Sequence, residues 1–225
     1  MSFFSRTLAI LRKDLLAEWR TKERLSPMVF FVLLTLLVFN FSFELGGAAL
    51  HEIGPGVLWS AFVFASLLGL NRSFVDEREN GCLDGLLLAP GDRSAVYMGK
   101  MLGNLLFLLA VELISLPFFT LFFNLSPGPF LLPLLGLFLL GSASLASVGT
   151  LFAAMSSNMR LRELLLPLLL LPMVMPALIS CVEATALVLK GDELARIAPY
   201  LQILTVFVVV FTTLSLLLFE HVIEE

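Results

Sequence analysis

Long apolar runs alternate with short polar ones along the whole chain. Leu25 to Phe43 carries no charged residue, and neither does Ile53 to Asn71. Met101 to Met159 contains a single charge, Glu112, but is too long for one crossing. It is interrupted at "NLSPGPFLLP", where Pro127, Gly128 and Pro129 stop a helix and supply turn geometry. Leu164 to Val182 and Ile197 to Phe219 complete the set. A helix needs about 20 predominantly apolar residues to cross the hydrocarbon core. The pattern therefore predicts an all-α membrane protein with six spans, near 26–44, 53–71, 101–123, 130–155, 164–188 and 197–219, and a single membrane domain over 1–225.

Before the first span the periodicity changes. Phe4, Leu8, Leu11, Leu15 and Trp19 recur at helical spacing, with Arg6, Arg12, Lys13 and Arg20 largely off that stripe. This predicts an interfacial helix over 1–25, its basic residues near anionic headgroups and its tryptophan at the boundary. A helix packed on a soluble partner would show the same pattern. Ser26 and Pro27 read as N-cap and first position of the next helix, so the chain arrives parallel to the membrane and turns into it.

Composition agrees: 59% of the residues are hydrophobic and 14% charged, against about 25% charged in a soluble domain. Charge placement sets orientation. Of the 14 Lys and Arg, only Lys190 and Arg196 fall in the loops opposite the N-terminus. The remainder lie in 1–25, 72–100 and 156–163, which the positive-inside rule assigns to the cytoplasm together with both termini. Cys82 and Cys181 stand at different membrane levels and read as free thiols.

Catalytic signatures are missing. No GxxxxGK[ST] occurs, so ATP binding through a P-loop is excluded, and the histidines show no metal-ligand spacing. Glu112, midway along the third span, must be protonated or face a polar partner inside the bundle, such as the Ser and Thr residues of span four. It and Glu183 are the candidates for a bundle-interior or path role, although Glu183 is close enough to the outer end to reach the interface. "GSASLASVGT" in span four allows close helix approach. Pro167, Pro172 and Pro176 predict a kinked span five, either a moving part or a static bend.

The remaining feature is hydrophilic: "NRSFVDERENGCLDGLLLAPGDRSAVYMGK", residues 71–100. Gly81 interrupts the helix leaving span two, Leu83 to Leu88 can form one or two turns, and Pro90 with Gly91 ends them. Asp92 can cap the helix entering span three. The leucines need burial, and the acidic group Asp76, Glu77, Arg78, Glu79 argues for a protein groove over an anionic bilayer.

This arrangement, with Lys100 ten residues past the proline, resembles the coupling region of ABC-2 type exporter permeases. Phe74, Glu77, Gly81 and Leu83 running into "LLLAP", Leu171-Pro172 with Pro176, and the chain length are similar to the CcmB family, permease of the cytochrome c maturation haem exporter. The resemblance implies a non-catalytic permease of the bacterial inner membrane that binds no cofactor itself. It implies two copies working with a separate ATP-binding ATPase of the CcmA kind, with CcmC-like and CcmD-like subunits and a CcmE-like haem chaperone. Haem would be the substrate, or ATP would drive release of the loaded chaperone; no nucleic-acid partner is expected. The docking residues implied are Phe74, Asp76, Glu77, Arg78, Glu79, Gly81, Leu83, Leu86, Leu87, Leu88 and Pro90. An ABC-2 permease for a lipid, glycan or peptide is the alternative, and an intramembrane enzyme using Glu112 a more distant one.

Overall fold

The computed structural model describes residues 3–42, 48–74, 92–123, 131–157 and 162–222. Seven helices account for nearly all of them: α1 (Phe3–Thr21), α2 (Leu25–Ser42), α3 (Ala48–Arg72), α4 (Ser94–Phe122), α5 (Leu131–Ser156), α6 (Arg162–Lys190) and α7 (Leu194–Val222). α2 to α7 each contain a stretch long and apolar enough to cross a membrane, which makes this a multi-pass membrane protein.

α5 is the spine of the bundle and packs against α3, α4, α6 and α7. Every residue from Gly141 to Leu151 is buried. The small residues of this stretch are what permit it. A Cβ on Gly141 would lie 2.2 Å from Trp59 Cη2, and one on Gly149 would lie 2.4 Å from Leu70 Cδ1. No apolar solvent effect drives helices together in lipid, so such van der Waals approach, together with interhelical hydrogen bonds, holds the bundle. Trp59, Phe62 and Phe138 form an edge-on aromatic cluster where α3 meets α5, with centroids 5.4 to 6.0 Å apart. α2 and α7 are the most exposed spans.

α4 begins next to the expected cap Asp92, seven residues before the apolar span expected from Met101, and runs for 29 residues, roughly 43 Å at 1.5 Å per residue. That exceeds a hydrocarbon core of about 30 Å. Its first two turns contain Lys100 and so fall outside a hydropathy window, but they are helical because α1 packs along them.

α1 settles its two faces in an informative way. Phe4 is 82% and Trp19 83% exposed, with Leu8, Leu15 and Leu16 also outward. The opposite face, Arg6, Thr7, Ile10, Asp14 and Glu18, is buried. The apolar stripe is thus exposed on the face of α1 turned away from the bundle. Arg6, expected near headgroups, is instead buried against the start of α4.

The α1–α2 joint also differs from expectation. α2 starts at Leu25, so Ser26 is inside the helix and is not its cap. The cap is the Glu18 carboxylate, which accepts from the backbone N–H of Arg24 at 3.0 Å and of Leu25 at 2.8 Å. Lys22 adopts φ 55° and its N–H bonds to the Glu18 carbonyl, ending α1. α6 is one helix from Arg162 to Lys190 despite Pro167, Pro172 and Pro176. Pro172 and Pro176 are exposed, and the Ser180 hydroxyl donates to the Pro176 carbonyl at 2.8 Å.

Candidate functional site

Two groups of polar residues stand out from the apolar bundle. The first frames the hydrophilic segment between α3 and α4. Of the docking residues expected there, Asp76, Glu77, Arg78, Glu79, Gly81, Leu83, Leu86, Leu87, Leu88 and Pro90 lie outside the described residues. Phe74 is described, and it corrects the expectation. It is buried, with Lys100 Nζ 5.4 Å from its ring centroid, and so anchors the segment instead of presenting a surface to a partner.

Lys100 is the centre of this frame. Its side chain is fully buried, with Nζ 2.9 Å from Asp14 Oδ2 and donating to the Ser73 carbonyl at 2.8 Å. Ser73 follows the last residue of α3, where unpaired carbonyls favour a cation. A lone ammonium this deep would be costly; paired with a carboxylate and a carbonyl it is tolerated. One side chain therefore ties α1, the end of α3 and α4 together.

The other foot is held as well. The Asp92 carboxylate accepts from the Ser94 N–H at 2.8 Å, as its capping position predicted. Arg6 donates to the Asp92 carbonyl at 3.4 Å, and the Thr7 hydroxyl to the Ala95 carbonyl at 3.5 Å. α1 comes close enough because α4 has glycine there: a Cβ on Gly99 would lie 2.9 Å from Ile10 Cβ and 3.0 Å from the Thr7 carbonyl. Lys100 and Asp92 were singled out by the sequence; Thr7, Ile10 and Asp14 were not. Their signal is the helical spacing of Thr7, Ile10, Asp14 and Glu18 opposite the apolar stripe, facing Gly99 and Gly103 one turn apart.

The second group lines the α4–α5 contact. Tyr97 Oη donates to the Ser147 carbonyl at 2.9 Å, Asn104 Nδ2 to Thr150 Oγ1 at 2.9 Å, and Ser142 Oγ to Glu112 Oε1 at 2.6 Å. Positions 97, 104 and 112 repeat every two turns, so the three bonds form a ladder on one face of α4. Glu112 is buried and turned toward a hydroxyl of α5; its Oε2 has no hydrogen-bond partner among the described residues. Glu183 is placed differently: it is exposed on the outside of α6, not in the bundle interior. The buried register of α6 runs through Ala177, Cys181, Ala184 and Val188, and Glu183 falls off it.

A cavity of about 10 Å³ lies between α3, α5 and α6, bounded by Trp59, Gly141, Val174 and Cys181. It has room for about one water and is far below the 300–1,000 Å³ of a ligand pocket. Trp59 beside it donates to Thr185 Oγ1 at 2.9 Å. Among the described residues no three of His, Cys, Asp and Glu converge as metal ligands. Among the described residues the polar contacts at these two groups are capping, charge pairing and interhelical hydrogen bonding.

Comparison with known proteins gives this architecture a family. The sequence profile described as CcmB protein matches residues 5–224. The chain is 34% identical over 185 residues to heme exporter protein B of Rhodobacter capsulatus, covering 82% of this chain and 83% of the relative. It is 34% identical to the protein of that name from Paracoccus denitrificans, covering 78% and 80%. To the Pseudomonas aeruginosa protein of that name it is 32% identical, covering 82% of each. With nearly the whole chain inside the profile, this multi-pass membrane protein belongs to the CcmB family.

Proposed function

We propose that the protein is the permease subunit of an ABC transporter that exports haem for cytochrome c maturation, driven by a separate ATPase. The observation that carries this reading is the family match along nearly the whole chain, to relatives named heme exporter protein B. The sequence contains no GxxxxGK[ST], which supports ATP binding by another polypeptide. The 75–91 segment, held at both feet, is the natural place for that ATPase to push: Leu83 to Leu88 would enter its groove, with Asp76, Glu77, Arg78 and Glu79 making polar contacts beside them. The basic residues of 1–25, 72–100 and 156–163 support both termini in the cytoplasm, and membership of the CcmB family supports a bacterial inner-membrane location.

In this reading two permease copies pair with two CcmA-like ATPases and work beside CcmC-like and CcmD-like subunits. A CcmE-like chaperone receives the haem. Glu112 holds α4 to α5 through Ser142. The chain itself is not an enzyme.

The test is co-purification from a host that makes the complex. The wild-type chain brings down a P-loop ATPase, and Leu86→Asp with Leu87→Asp abolishes that association without altering membrane insertion. ATPase binding at wild-type level by the double variant refutes the docking assignment.

A further inference from the structure

We infer that α1 is a working part of the coupling element, with Asp14 and Lys100 as positioning residues that make α1, the end of α3 and the first turns of α4 one body. This rests on the reading that an ATPase docks on the 75–91 segment. The segment has two feet, and α1 is bound to both. At the α3 foot, Lys100 Nζ links Asp14 Oδ2 to the Ser73 carbonyl. At the α4 foot, Arg6 and Thr7 donate to the carbonyls of Asp92 and Ala95.

The chemistry of this node points to positioning. A buried ion pair is weak evidence for stability, since well-packed apolar residues often serve as well. Apolar residues cannot bond the Ser73 carbonyl, which leaves α3 without a fixed partner on α1. The ammonium has three donors and so can hold a side chain and a backbone group of two other elements together.

α1 also leads onward. Glu18, buried on the same face as Asp14, caps α2 by accepting from the Arg24 and Leu25 N–H groups. α2 in turn packs on α3 and α4. A displacement at 75–91 thus reaches the bundle by three routes, through α3, through α4, and through α1 into α2. The outward Phe4, Leu8 and Trp19 leave α1 in contact with a membrane surface while it moves.

Two glycines of α4 allow a matched test. A Cβ at Gly99 would press on Ile10 and the Thr7 carbonyl at 2.9 and 3.0 Å, whereas one at Gly103 meets Asp14 and Leu11 at an ordinary 3.8 Å. Gly99→Ala, Gly103→Ala and Lys100→Met are made in the complete complex. Three quantities are read: ATPase co-purified, ATP hydrolysed by the purified complex, and haem-stained c-type cytochrome formed in cells. Gly99→Ala and Lys100→Met are expected to keep the ATPase and its hydrolysis, with cytochrome formed per ATP hydrolysed falling several-fold. Gly103→Ala is expected to match wild type. A merely structural role would lower the amount of complex and leave that ratio unchanged.

Wild-type ratios in Gly99→Ala and Lys100→Met overturn the inference. If Lys100→Met fails to insert, Gly99→Ala decides alone, since it leaves every charge in place. Failure of the wild-type chain to bring down any ATPase sinks the docking reading itself, a result distinct from variants that bind, hydrolyse and deliver normally.

Discussion

Gly141→Ala adds one methyl group at the tightest point of the bundle. The new carbon would lie 2.2 and 2.5 Å from Trp59 Cη2 and Cζ3 and 2.9 Å from Cys181 Sγ. Carbon atoms rest about 3.5–4.0 Å apart, so α3 or α6 must retreat from α5, or Trp59 must turn. Turning Trp59 breaks its hydrogen bond to Thr185 and opens its edge-on contacts with Phe62 and Phe138. Overpacking costs about 1–3 kcal/mol. Losing the hydrogen bond adds about 1 kcal/mol. The sum is roughly 2–4 kcal/mol, a fall in melting temperature of roughly 4–16 °C for a chain of this size. The control is Gly136→Ala in the same helix, where nothing lies within 4 Å and the substitution favours the helix. Protein purified in detergent in a Cys82→Ser background is melted and followed by a thiol-reactive dye, since the remaining cysteine, buried Cys181, becomes reactive on unfolding. A Trp59→Phe background, with its smaller ring, should relieve part of the penalty, giving a measurable coupling between the two sites. Equal melting of Gly141→Ala and Gly136→Ala would refute the assignment of α5 as a close-packed spine.

Two further outcomes are expected. Glu18→Ala removes the carboxylate that caps α2 and should cost about 1 kcal/mol by the same melting assay, while Ser26→Ala, inside the helix, should cost almost nothing. Glu112→Gln retains an acceptor oxygen for Ser142, so melting should stay within about 1 kcal/mol of wild type and cytochrome formation should persist. Loss of cytochrome with the fold intact would instead give Glu112 a role in transport.

The six spans and the apolar stripe of α1 could be read from the chain, because each depends on local properties, while the turn expected at Pro127 to Pro129 lies outside the described residues. Hydropathy over about 20 residues decides what enters a bilayer, and a period of 3.6 decides which face of a helix is apolar. Asp92 as a helix cap was legible for the same reason, its partner being two residues away. What the tertiary structure decided concerns polar groups whose partners are distant in sequence. Lys100 lies inside α4 with its ammonium buried, and its partner Asp14 is 86 residues away in the sequence. Glu18 displaced Ser26 as the cap of α2 because α1 folds back on the joint, and Phe74 went inward because Lys100 lies across it. Glu112 and Glu183 look alike to any local scale; one meets Ser142 and the other falls outside the buried register of α6. Burying a charge or hydrogen-bonding group is costly unless a complementary group arrives with it, and only the assembled bundle determines which groups meet.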